Sequence, residues 1–154
     1  MQYSKGKLVH IPFILLALFI ILDFILPGNT HVSKVLDVKK ELQQYYNAAG
    51  NYHYSYRILT AEHSFSISEE FARVVQKEQE IRYEVSWLFE EINNYGLVAS
   101  TARNIYLLRV LSGLILPLLA IVVSVLAYKY ERKVSVVIFV FQLLLLGDLL
   151  FLII

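Results

Sequence analysis

The sequence predicts an α+β membrane protein: three transmembrane helices, with a small β-rich extracytoplasmic domain inserted between helices 1 and 2. Three observations point there. Two C-terminal apolar runs, 105–128 and 134–154, each hold about 20 residues or more and at most one ionised side chain, enough to cross a hydrocarbon core of roughly 30 Å. A third apolar run, 11–27, stands near the N-terminus. The polar stretch between them alternates apolar and polar residues with period two, the signature of half-buried strands.

Composition agrees. At 57% hydrophobic residues and a mean hydropathy of +0.55, the chain is far more apolar than an ordinary soluble domain. A net charge of +1 without a Lys/Arg-rich cluster argues against nucleic acid as a partner. Cysteine is absent, which excludes disulfides, thiolate metal sites, a cysteine nucleophile and lipoprotein acylation.

The first segment, 1–27, carries Lys5 and Lys7 and then the apolar run. It resembles a signal peptide, but the run is long for one and Pro27-Gly28-Asn29 follows where a small-x-small cleavage site would stand. An uncleaved anchor is the expectation. Pro12 near its start is tolerable, because a first-turn proline lacks only a donor that would be unpaired anyway.

The second segment, 28–104, offers about 77 residues, enough for one small core. Residues 80–90 read as one strand, with Ile81, Tyr83, Val85, Trp87 and Phe89 on its apolar face. Residues 52–59 alternate likewise, and a shorter strand is expected at 64–67. Ser66 or Ser68 can cap a short helix running through Glu69, Phe71 and Val74, with acidic residues where the dipole favours them. Residues 35–46 fit a strand or a helix about equally; a hairpin with 52–59 favours the strand. The segment 93–96, Asn-Asn-Tyr-Gly, reads as the break before the second membrane helix. The expected total is three or four strands and one short helix.

The remaining segments are the second helix, 105–128, the charged turn, 129–133, and the third helix, 134–154. Lys5 and Lys7 flank the first helix, and Lys129, Arg132 and Lys133 fill the turn. Basic residues in short loops face the cytoplasm, so the N-terminus and the turn are assigned there and the middle domain outside.

Three ionisable residues fall within the apolar runs: Asp23, Arg109 and Asp148. At 1.5 Å per residue they lie roughly 6, 7–8 and 9 Å below the outer ends of their helices, in one layer. Isolated charges at that depth are expensive and usually pair inside the bundle. Arg109 is therefore expected to bridge Asp23 and Asp148, as a structural clasp. The other readings are contact with a partner helix or lipid headgroup, or a spare acid that carries protons or binds a cation. Pro117 and Gln142 lie mid-membrane, and Gln142 can donate to the carbonyl that the proline frees.

No metal or cofactor is expected. His31, His53 and His63 stand 22 and 10 residues apart on separate elements, without the close pairs of a zinc motif. No nucleophile elbow or phosphate loop is present. The middle domain is rich in tyrosine, and Tyr52, Tyr54, Tyr56 and Trp87 are the candidates for partner contacts.

The function these features imply is non-enzymatic: an accessory or assembly subunit of a larger membrane complex, binding a partner through its extracytoplasmic domain. The alternative is an ion- or proton-handling subunit using Asp23, Arg109 and Asp148, and a membrane enzyme ranks third. The expected surroundings are a lipid bilayer, a second membrane protein or further copies of the chain, and a bacterial inner membrane.

Overall fold

The computed structural model describes residues 10–44, 52–130 and 135–153. Lys5, Lys7, Tyr45, Tyr46, residues 47–51, Arg132 and Lys133 lie outside them. The fold is α+β and divides into two compact units. One comprises Met1–Pro27, Ser86–Glu91 and Leu108–Ile154, the other Gly28–Val85 and Ile92–Leu107.

The second unit holds two three-stranded antiparallel sheets and a short helix. Strands β1 (Asn29–Lys34), β5 (Glu80–Val85) and β6 (Ile92–Leu97) form one sheet in the order β1-β5-β6. Strands β2 (Asp37–Gln44), β3 (Tyr52–Leu59) and β4 (Ser64–Ile67) form the other in the order β2-β3-β4. The link between β1 and β2 belongs to both: Val35 N–H donates to Gln79 O at 3.0 Å, and Leu36 N–H to Leu59 O at 2.8 Å. Val35, Ile58, Phe65, Ile67, Phe71, Ile81, Tyr83, Val85 and Tyr95 make one core. Helix α2 (Glu69–Val74) starts at Ser68, whose Oγ accepts from Phe71 N–H, and seats Phe71 in that core.

Sheet content exceeds the expected three or four strands. β1 (NTHVSK) has a single large apolar residue and shows no period-two signal; pairing with β5 makes it a strand. β6 takes in the expected break, because strand pairing with β5 outweighs the poor propensity of Asn93, Asn94 and Gly96. Gly96 is required there, since the Ala102 carbonyl lies too close for any Cβ. The expected strand over 80–90 ends at Val85 instead. Ser86 N–H donates to Glu91 O at 2.8 Å, and Ser86 Oγ accepts from Glu91 N–H at 3.1 Å. These bonds close a loop in which Glu90 takes a φ of 55°, which no strand holds.

The first unit is helical. α1 (His10–Ile25) is a short apolar helix of 16 residues, about 24 Å long. The helix Leu107–Lys129, 23 residues, and the helix Val136–Ile153, 18 residues, are long and apolar enough to cross a membrane. The former comprises α3 (Leu107–Val110), a π turn (Leu111–Ile115) and α4 (Leu116–Tyr130); the latter is α5 (Ser135–Ile153). Ala17, Ile20, Ala120, Leu145 and Leu152 form their common core, flanked by Phe13, Phe89 and Phe141. Small residues at the seam allow close backbone approach. Leu15, Phe19, Leu118, Val122, Leu143 and Leu150 point outwards.

The π turn sets the phase of the Leu107–Lys129 helix. Gly113, Pro117, Ala120, Ser124 and Ala127 are buried at spacings of 4, 3, 4 and 3, a heptad seam. Continued backwards, that seam reaches Val110, yet the buried residue is Arg109. Leu116 N–H bonds Leu111 O, five residues back, and the wider turn absorbs the extra residue.

A buried charge cluster as candidate functional site

Asp23 and Arg109 are brought together by the helical unit. Arg109 Nη2 donates to Asp23 Oδ2 at 3.0 Å, with side-chain exposures of 3% and 0%. Asp23 Oδ1 accepts from the backbone N–H of Leu88 at 2.8 Å, so the same carboxylate holds the 86–91 loop. Phe89 of that loop packs with the helix core, and the Trp87 indole N–H donates to Pro27 O at 2.8 Å. The Arg109 guanidinium carbon stands 5.5 Å from the Phe24 ring centroid, a cation–π distance. Phe24 in turn covers Gly113, where a Cβ would meet its ring at 2.6 Å.

Two further acids lie within electrostatic reach of Arg109. Glu91, half-buried at the end of the loop, has its carboxyl raised above the ordinary range. Burial pushes it up most, the Arg109 guanidinium pulls it down, and Asp23 pushes it up again. Asp148 of α5 is buried, and its Oδ2 has no hydrogen-bond partner; neither has the buried Ser112 Oγ of the π turn. The expected bridge thus takes a different form: the ion pair runs from Arg109 to Asp23, while Asp148 stands near without joining it.

The remaining sequence candidates are placed as follows. Pro117 is fully buried two residues after the π turn. Gln142 does not turn to the carbonyl freed by Pro117; its Nε2 lies 3.4 Å from His10 Nδ1. Trp87 is 70% exposed. Tyr54 is 44% exposed, Tyr56 is half-buried, and Lys40 Nζ sits 3.8 Å from the Tyr54 centroid and 5.8 Å from that of Tyr56. Tyr52 heads β3, with its side chain outside the described residues.

These three tyrosines belong to an unusual piece of sheet. β3 pairs with β4 only from Leu59 to Tyr56. Beyond that point β2 and β3 continue as a two-stranded ladder, through Leu42 opposite Tyr54 to Gln44 opposite Tyr52. The face that buries Ile58 and half-buries Val38 carries on along this arm as Lys40, Tyr56, Leu42 and Tyr54, and there it opens to solvent. Isolated two-stranded ladders are marginal in water.

Sequence reasoning missed Glu91, Ser112 and the Leu88 N–H. Ser112 alone carried a signal, since it lies three residues from Arg109 on a helix. It also missed that His31 and His63 meet, with Glu62 between them. No protein-family model, curated protein or solved structure matches the chain.

Proposed function

We propose that this chain is a non-enzymatic membrane-anchored subunit that spans the bilayer three times and recruits a partner through its sheet module. The shorter helix α1 would be the first span, with Asp23, Arg109 and the loop closing the bundle near the outer leaflet. The basic residues Lys5, Lys7 and Lys129 beside the spans support a sheet module outside the cytoplasm. A bacterial inner membrane fits the short loops and compact size. The observation that carries the recruiting role is the β2–β3 arm: a two-stranded ladder presenting Leu42, 54% exposed, beside Tyr54. An exposed aromatic and aliphatic pair on an otherwise core-facing strand side is a natural anchor for another protein, since tyrosine buries area at low entropic cost.

The test is mild-detergent purification of the full-length protein followed by mass spectrometry. A stoichiometric partner should co-purify with the native chain and be lost with Leu42→Asp and Tyr54→Ser. Recovery of the native chain without any partner, or partner retention by both variants, would reject the role.

Asp148 favours a second reading, proton or cation handling. A buried carboxyl oxygen without a hydrogen-bond partner, in a bundle that also buries the unbonded Ser112 hydroxyl, is what such a site contains. Asp148→Asn should then abolish a gradient-dependent activity at unchanged protein abundance.

A further inference from the structure

We propose that His31, Glu62 and His63 form a binding site for a divalent transition metal, zinc first among them, that pins the two sheets of the soluble module together. The three residues come from two elements. His31 lies in β1, directly across from Tyr83 of β5 in the ladder. Glu62 and His63 lie in the turn between β3 and β4, in the other sheet. That turn is locked on itself: Thr60 N–H and Oγ1 both donate to His63 O at 2.9 Å, and His63 N–H donates back to Thr60 Oγ1 at 3.0 Å.

The donor atoms already converge. His31 Nδ1 stands 3.0 Å from Glu62 Oε2, His63 Nδ1 stands 4.0 Å from the same oxygen, and all three ligand atoms lie within 4.8 Å of one another. Tetrahedral zinc with bonds of about 2.0–2.2 Å needs donors roughly 3.3–3.5 Å apart. Glu62, 61% exposed, is free to make most of the adjustment.

Both imidazoles are held in place before any metal arrives. His31 stacks on Tyr83 at 5.5 Å with 10° between the planes, and His63 meets Tyr83 edge-on at 5.4 Å. Tyr83 itself is fully buried. Its hydroxyl lies 3.0 Å from His63 Nδ1 and 3.4 Å from Thr60 Oγ1. Coordination through His63 Nδ1 replaces the first of these contacts, and the phenol retains the second. Two imidazoles and a carboxylate suit zinc, nickel or copper rather than calcium or magnesium. Three protein ligands leave the fourth position for water or for a donor from a partner. Each histidine is about one-third exposed, so the ion can reach the site from solvent.

The experiment uses the full-length protein without a histidine tag, in detergent micelles and stripped with chelator. Zinc titration by calorimetry, with metal content measured after gel filtration, should give one zinc per chain and a raised unfolding temperature. Cobalt substitution should give the absorption of a four-coordinate site. The His31→Ala/His63→Ala variant should bind none, whereas His53→Ala should bind as the native chain does. Removing His31 takes a ring off Tyr83 and can loosen the sheet by itself. Glu62→Gln, at an exposed side chain, therefore gives the independent arm: native fold by circular dichroism and affinity lowered by at least about tenfold, the scale on which even outer-shell partners act. Absence of zinc from the native chain, binding that survives the double histidine variant, or Glu62→Gln binding as tightly as native would overturn the proposal. A hydrogen-bonded His–Glu pair without metal would then be the account.

Discussion

Replacing Arg109 by methionine keeps the length of the side chain and removes the cation on which Asp23, Glu91 and Asp148 all draw. With 3.0 Å between Nη2 and Oδ2, the charge centres of the Arg109–Asp23 pair lie roughly 4 Å apart, where an effective dielectric of about 20 gives an attraction of about 4 kcal/mol. Breaking a buried pair from one side costs about 3–5 kcal/mol, because the orphaned charge stays buried. Arg109→Met should therefore move the unfolding equilibrium by roughly two to three and a half orders of magnitude. Asp23→Asn should cost less, about 1.5–3 kcal/mol, since the amide oxygen still accepts from Leu88 N–H and Glu91 remains within reach of the guanidinium. In the Asp23→Asn/Arg109→Met double variant most of the loss should return, because no buried charge is left orphaned and the amide oxygen still accepts from Leu88 N–H. Denaturant titration in micelles, read by tryptophan fluorescence and circular dichroism, closes the cycle. A coupling below about 0.5 kcal/mol, the limit within which independent sites add, would refute the clasp.

Gly113→Ala should destabilise by about 1–3 kcal/mol, since its methyl would force the Phe24 ring away from Arg109; thermal unfolding in detergent checks it. Tyr95→Phe should cost about 1–3 kcal/mol by stranding the Ser68 N–H that now donates to the Tyr95 hydroxyl at 2.8 Å, measured by chemical denaturation. Glu91→Gln should alter the pH dependence of stability. The folded-state carboxyl is raised from 4.5, so the native advantage of the protonated form is complete below that pH and fades as pH rises through the raised value. The variant should match the native chain in acid and exceed it towards neutrality, as a melting series over pH would show.

Much of the fold is legible because its signals are local. The apolar runs declare themselves by length and composition. β3 and β4 fall at 52–59 and 64–67, where alternation placed them, and Ser68 caps α2 as a serine before an acidic turn should. What stays hidden depends on partners distant in sequence. β1 and β6 are strands because β5 lies between them, and neither alternates convincingly alone. The loop after Val85 escapes because Trp87 and Phe89 keep the period of the strand while the backbone has already turned. Counting depth along helices relates Asp23 to Arg109 but is blind to azimuth, and so says nothing of where the Asp148 carboxylate points. His31 and His63 look unrelated in sequence, since only sheet register and a hydrogen-bonded turn bring them face to face.

The wide turn at Leu111–Ile115 acts as a gearing device in this helix. Rotation about the axis is about 100° per residue, so winding the same residues as an ordinary helix would swing everything upstream by about that angle. Val110 would then take the inward station and Arg109 would turn away from Asp23. Deleting one residue from the turn should instead let an ordinary helix re-form with Arg109 still inward, because the wide turn holds one residue more than a regular helix needs.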